Sequence, residues 1–312
     1  MTMQMKCNTC GAPLKTQYPL VRDPITKETF AIESCAECGL GHTSPQPEDL
    51  GRYYSYPYYG NRHGFTARYC TRRRLRFLRS AVSGAPGRLL DIGCGDGAFL
   101  LEATSAGWRV AGTELNPEPA RRAGFEVEDS LDRISGAGLF DCITMWHTLE
   151  HMRDVRWTLT QADRLLKPDG RLIIAVPDFG GLQARLFGPK WLHADVPRHL
   201  FHFTDRALTG CLRAAGFEVR QRWHQELEYD LLGWSQSALN CIQSEPDLFF
   251  NQIAGKKVHS GAVARIVSLL LGTIFTALAL PMLIASTMLH RGGSLIVVAQ
   301  RTRLDRHQEV AS

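Results

Sequence analysis

Three glycines and two carboxylates carry the first chemical signal in this chain. Gly93, Gly95 and Gly97 occupy alternate positions in Leu89-Leu90-Asp91-Ile92-Gly93-Cys94-Gly95-Asp96-Gly97, and Glu114 follows the next apolar run. Absent side chains at such a turn let a ligand lie against the backbone at the mouth of a sheet. The spacing is not that of a dinucleotide fingerprint. Asp91 at the strand end would repel a pyrophosphate and attract an ammonium group, whereas a carboxylate ending the second strand can accept both hydroxyls of a ribose. The ligand therefore has a ribose and an amine and no phosphate.

S-adenosylmethionine meets that description; NAD, FAD and ATP do not. A second constellation could serve methyl transfer to an acceptor. His147 and His151 stand four apart just after an apolar strand, where one helical turn would bring them onto a common side. A positioned imidazole accepts a proton near neutral pH, so His147, His151 and, from a later segment, His199 are the candidate catalytic residues. The plainer reading of His151 or Glu150 is a helix cap or a bond to a loop carbonyl. His193, Asp195, His199 and His202 fall together before a helix capped by Thr204, and a metal shared by Asp195, His199 and His202 competes there with hydrogen bonding to substrate or protein. Tyr58, Tyr59 and Trp191 are candidates to close over the cofactor, or equally to pack as core or lid without touching a ligand.

The third signal is Cys7-Asn8-Thr9-Cys10 with Cys35-Ala36-Glu37-Cys38, two CxxC pairs each followed by glycine. Four thiolates fit tetrahedral zinc with no open position, so the ion would stabilise a ribbon too small to fold unaided. A redox dithiol would need one pair only. The other cysteines, Cys70, Cys94, Cys142, Cys211 and Cys241, are scattered and read as packing.

The elements that must position these groups follow from periodicity. At 312 residues, 44% hydrophobic and 21% charged, the chain suits one large domain with a smaller module. Its net charge of +5, partly in Arg72, Arg73, Arg74, Arg76 and Arg79, reads as a solvated helix face and does not demand nucleic acid. No secretory signal is visible at Met1 to Cys7, which points to a reducing, cytoplasmic setting. Strands are predicted at Leu89–Asp91, Arg109–Thr113, Phe125–Val127, Phe140–Trp146, Leu172–Val176, Phe217–Arg220 and Ser294–Ala299, with helices between them. That alternation is an α/β fold: a Rossmann-like, doubly wound, seven-stranded and mostly parallel sheet.

The predicted organisation is a zinc-ribbon module at 1–50 and a tyrosine- and arginine-rich linker and helix at 51–80. The core follows at 81–224, a helical insertion at 225–290, the last core strand at 291–302 and a tail at 303–312. Ile266 to Leu289 carries no charge and is long enough to span a bilayer. A single crossing would strand the last strand on the wrong side, so peripheral insertion on the inner face of the membrane, or a buried helix pair or homodimer contact, is expected instead. Pro281 in its middle permits a kinked hairpin or two shorter helices.

Asp91 to Gly97 with Glu114, Phe140 to Ile143, Leu166 to Gly170 and Leu172 to Pro177 resemble the class I S-adenosylmethionine-dependent methyltransferases in order and spacing. The resemblance implies that Gly93 to Gly97 hold the methionine moiety, Glu114 the ribose, and Asp129 or Ser130 the adenine amine. Trp146 to Met152, the ribbon, the tyrosine-rich linker and Trp191 to Thr204 resemble a subgroup associated with sugar, surface-polysaccharide or polyketide-type modification. The leading expectation is a methyltransferase acting on a small-molecule, sugar or lipid-linked glycan acceptor. Its alternatives are an RNA methyltransferase using the ribbon and the arginine group, and a scaffold without catalysis.

Overall fold

Alternating apolar residues build a sheet covered on both faces. The computed structural model describes residues 6–54, 67–256, 258 and 260–302. Within the core the strands are β4 (Arg88–Ile92), β5 (Arg109–Thr113), β6 (Val127–Glu128), β7 (Phe140–Trp146), β8 (Leu166–Pro177), β10 (Phe217–Trp223) and β11 (Ser294–Arg301). They lie in the order β10-β11-β8-β7-β4-β5-β6, and β11 alone runs antiparallel to its neighbours. Leu90, Ile143 and Ile174 point to the face covered by α4 (Val155–Leu165) and α6 (Asp205–Ala214). Their chain neighbours Leu89, Cys142 and Ile173 point to the face covered by α1 (Ala67–Ala81) and α2 (Ala98–Ser105). The chain leaves β4 towards β5 and β6, then returns to place β7 on the other flank of β4. Strand order reverses between β4 and β7, which opens a crevice above their carboxyl ends.

The predicted strands at 109–113 and 140–146 coincide with the observed ones. The third strand starts two residues later than predicted, at Val127, and the fifth starts earlier than Leu172, because Leu166 to Gly170 already belongs to β8. Leu166 pairs with Phe140 across a bulge, so the chain turns straight from α4 into the sheet.

In the N-terminal module, β1 (Leu14–Arg22), β2 (Thr29–Cys35) and β3 (Gly41–Ser44) form an antiparallel sheet. Its fourth strand, β9 (Phe201–His202), comes from the core. The module is therefore sewn to the core at its edge, which the division at residue 50 did not anticipate. Val21, Phe30 and Ile32 pack with Phe179, Trp191 and Val196 in one apolar cluster. Arg198 lies in the same joint, 1% exposed, donating to Asp23 at 2.9 Å and to Asp195 at 2.6 Å. Trp191 is thus core, bonded through Nε1 to Gln183, and does not form a lid; Tyr58 and Tyr59 lie outside the described residues.

The insertion is helical, as predicted: α7 (Leu227–Ile242), α8 (Leu248–Ile253) and α9 (Ala262–Met288). Pro281 does not split it, because α9 runs on as one 27-residue helix with the proline inside. Small buried residues on one side of α9, including Gly272 and Ala279, let it lie close against α7 and α8 over its length. A methyl group on Gly272 would come within 2.3 Å of the Phe249 ring. That packing offsets the bond a mid-helix proline loses. Only 22% of the most apolar stretch of α9 is buried, and its mean hydropathy is 2.2.

Candidate functional site

The glycine turn sits at the crevice. Gly93, Gly95 and Gly97 all adopt positive φ, at 78°, 61° and 84°. Gly93 has to be glycine for packing: a Cβ there would meet the Thr148 side chain at 2.5 Å. At Gly95 a Cβ would meet no described atom within 4 Å, so this is the face of the turn open to a ligand. Its amide donates to Glu114 Oε2 at 2.9 Å, tying the turn to the end of β5. Asp91 is withdrawn beneath it, 2% exposed, accepting from Thr144 Oγ1 at 2.6 Å. Burial pushes its carboxyl up to about 7. Contact with an ammonium group requires that carboxyl to be uncovered. Asp129 follows β6 and pairs with Arg133 at 2.9 Å, while Ser130 caps the next turn by accepting from the Asp132 amide.

The loop after β7 carries the imidazoles, but not on one helical face. His147 has φ +53°, a conformation costly for a residue with a Cβ, and only a short 3-10 turn follows at Leu149–His151. His147 is clamped: its ring stacks on Tyr229 at 4.1 Å, and Nε2 meets Glu226 Oε2 at 2.6 Å. Burial opposes charge on this imidazole, yet Glu226 and Glu150 overcome it and lift the pKa to about 9. Glu226, also buried, is held down at about 2 by His147. His147 is therefore a cation at neutral pH. Glu226 and Tyr229 escape sequence reasoning because they stand at the start of the insertion with no motif around them.

His151 Nδ1 lies 2.8 Å from the Arg198 carbonyl and 3.0 Å from the Tyr54 hydroxyl. His199 packs edge-on to His151 at 4.7 Å and donates from Nδ1 to the His193 carbonyl at 2.9 Å. His202 does not join them. It bonds Thr43 through Nε2 inside the module joint, where burial lowers its pKa to about 3. A metal shared by Asp195, His199 and His202 is accordingly not what the geometry offers.

His147, Glu150, His151 and His199 line part of a cavity of about 620 Å³. The insertion adds Leu231, Leu232, Phe249, Phe250 and Leu269 to its wall, together with the polar Asn251, Lys256, Thr273 and Thr276. The arginines of α1 are not one solvated face. Arg73 pairs with Glu228 at 3.1 Å, and Arg74 lies over the Trp146 ring at 5.3 Å, leaving Arg72, Arg76 and Arg79 outside. Near the N terminus the Sγ atoms of Cys7, Cys10, Cys35 and Cys38 all fall within 4.8 Å of one another, none in a disulfide. Cys70, Cys94, Cys142 and Cys211 are buried as expected, but Cys241 is exposed.

A family model described as a methyltransferase domain matches residues 61–222. The chain belongs to that family. It is a class I S-adenosylmethionine-dependent methyltransferase, and the seven-stranded, mostly parallel sheet and the glycine turn described above are those its sequence led one to expect. Among curated relatives, this methyltransferase is 26% identical over 164 residues to the ubiquinone biosynthesis O-methyltransferase of Xanthomonas axonopodis pv. citri, covering 47% of this chain and 69% of the relative. It is 33% identical over 114 residues to the enzyme of the same name from Nitrosococcus oceani, covering 33% of this chain and 48% of that one. The chain thus spans only about half the length of the second relative. A solved S-adenosylmethionine-dependent methyltransferase from Archaeoglobus fulgidus aligns over 81% of this chain and 100% of its own, with 18% identity and a TM-score of 0.48.

Proposed function

We propose that this methyltransferase methylates a hydroxyl group on an amphiphilic small-molecule acceptor. The observation that carries the reading is one cavity whose lining joins His147, Glu150, His151 and His199 to the apolar side chains Leu231, Leu232, Phe249, Phe250 and Leu269 of α7, α8 and α9. Two relatives named for O-methylation in ubiquinone biosynthesis support the oxygen and the amphiphile. A lipid-linked sugar also joins a polar head to an apolar tail.

The turn fits the donor: Gly95 presents an open backbone face, and Glu114 lies beside it at the end of β5. Gly93, Gly95, Gly97 and Glu114 would hold it, with Asp91 supporting the turn through Thr144 and Asp129 at the adenine end. S-adenosylmethionine supplies an electrophilic methyl on a sulfonium. The protein's share is alignment, which provides most of the acceleration for such an in-line displacement. His147, fixed as a cation by Glu226, donates to the acceptor oxygen or orients it. His151 and His199 are the groups placed to take up the hydroxyl proton.

Four thiolates at this spacing fit one tetrahedral zinc, whose S–S edges are about 3.8 Å for bonds of about 2.3 Å; Cys7–Cys38 and Cys10–Cys35 stand at 3.5 and 3.4 Å. Its role is to hold the module that carries Asp23 against Arg198. The uncovered side of α9 suits peripheral insertion at the cytoplasmic surface of a membrane, where an amphiphilic acceptor resides. The test supplies labelled donor to separate membrane-lipid, soluble and RNA fractions with the purified enzyme. Label in a lipid-extractable product supports the proposal, and label confined to RNA or protein overturns it.

A further inference from the structure

Glu150 poses a problem of charge. It is 1% exposed and lines the cavity, yet neither carboxylate oxygen accepts a hydrogen bond from a described residue. The nearest donor, Nδ1 of the cationic His147, stands 3.6 Å away: it balances the charge of Glu150 but is beyond hydrogen-bond reach, so the acceptor oxygens stay unfilled. A buried acceptor left this way costs about 1–3 kcal/mol, and more when charged. His199 sharpens the problem. Its Nδ1 faces a carbonyl and must carry the proton, so in the neutral ring Nε2 presents a lone pair. That lone pair points between two carboxylates, with Glu150 Oε1 at 4.0 Å and Asp195 Oδ2 at 3.8 Å.

Two cations could relieve this, and the distances choose between them. A proton on Nε2 would need an acceptor at about 2.7–2.9 Å for a charge-assisted bond, and both carboxylates are an ångström too far. Ligands around one divalent ion, each at about 2.0–2.2 Å from it, stand about 3–4 Å apart. The cluster comes near that spacing: an oxygen of Glu150 and one nitrogen each of His151 and His199 lie within 4.8 Å of one another, and Glu150 Oε1 and His199 Nε2 stand 4.0 Å apart, so a small inward movement would close it on an ion. Both imidazoles also have Nδ1 against a backbone carbonyl, the outer-sphere contact that fixes the tautomer and orientation of a metal-bound histidine.

We propose that Glu150, His151 and His199 bind a divalent transition-metal ion in the cavity, with Asp195 within reach as a fourth ligand. Two imidazoles and a carboxylate suit zinc, manganese or iron(II) and leave coordination positions open. With the ion bound, His151 and His199 would serve as its ligands and not as proton acceptors, so the acceptor class is narrowed to molecules whose hydroxyl oxygen can ligate the ion, be acidified by it and lose its proton to water. The role in methylation rests on the function proposed above; the binding of the ion does not.

The test needs neither donor nor acceptor. Metal-free full-length protein is titrated with Zn2+ and with Mn2+, by calorimetry and by Mn2+ electron paramagnetic resonance, and zinc content is measured after dialysis. Two zinc ions per chain are expected, one in the cysteine cluster and one here. Glu150→Gln and His199→Ala should retain one and bind Mn2+ at least tenfold more weakly at unchanged melting temperature. A single zinc per chain in wild type, or Mn2+ binding unaltered by both substitutions, would overturn the proposal. Should either variant misfold, Co2+ spectra of the wild type decide. A second equivalent without thiolate-to-cobalt charge transfer supports the site, and thiolate-type absorption only refutes it.

Discussion

Replacing Arg198 with methionine should loosen the N-terminal module more than any surface change in it. Arg198 is 1% exposed and holds together two carboxylates from different parts of the chain. Its guanidinium donates to Asp195 Oδ1 at 2.8 and 2.6 Å and to Asp23 Oδ1 at 2.9 Å. Asp23 is itself 0% exposed, and its remaining bonds come from the Ile25 and Thr26 amides and the Thr26 hydroxyl. Methionine nearly fills the volume, so the loss is electrostatic. Asp23 remains buried and Asp195 partly buried without their cation, at a cost of about 3–5 kcal/mol that comes mainly from Asp23, against a total stability on the order of 5–15 kcal/mol. Burial works against charge on Asp195, and Arg198 is what brings its pKa below the ordinary carboxylate value. In the variant, Asp195 should therefore titrate higher. The assay is urea unfolding followed by tryptophan fluorescence, to which Trp191 in the joint contributes. Adding Asp23→Asn to Arg198→Met should restore part of the loss, because one stranded charge disappears. A loss below about 1 kcal/mol, or a double variant no more stable than the single, would refute the account.

The other expectations concern pH and the membrane. His147 has a folded pKa of about 9 against 6.5, so its contribution is fully present below 6.5 and is lost as pH rises through 9, on the order of 3 kcal/mol. Glu226 runs the other way, its contribution being present above 4.5 and lost as pH falls through about 2. The groups around His147 are Glu226, Glu150 and His193. Glu226→Gln should flatten the alkaline decline in urea midpoints, and an unchanged decline would show that another group causes it. On α9, Leu270, Ile274 and Leu278 are 61%, 54% and 61% exposed. Changing all three to serine removes about 1 kcal/mol of bilayer burial each, so flotation with liposomes should fall roughly 100-fold. Equal flotation of both forms, or concentration-dependent dimers that hide α9, would count against insertion.

Much of the core was legible because its signals are local. Arg109–Thr113 and Phe140–Trp146 are apolar runs with turn residues at their ends, and the glycine turn demands positive φ within five residues. The imidazole loop was legible in composition but not in shape. A period of four predicts one helical face, whereas His147 turns left-handed to reach Glu226, a partner 79 residues away that no spacing rule connects to it. The same holds for Arg198 and Asp23, which are 175 residues apart. Pro281 permits a break that the fold does not use, because packing against α7 and α8 keeps α9 one continuous helix. For Trp191 the local sequence left lid and core equally open, and only neighbours distant in the chain place it in the core.

The long-range contacts explain why the appendages belong to the chemistry. A doubly wound sheet supplies a donor site at its own strand ends, but its acceptor side is left to whatever the loops and additions build. Here the additions converge. The module contributes Pro24 and Ile25 to the cavity wall and fixes Arg198, whose carbonyl holds His151. The insertion contributes Glu226 and Tyr229, which hold His147, and then apolar side chains of its helices to the same wall. Removing the module should therefore do more than lower stability: it would free His151 from its anchor while leaving the glycine turn and Glu114 intact. Acceptor use should depend on both appendages, and donor binding on neither.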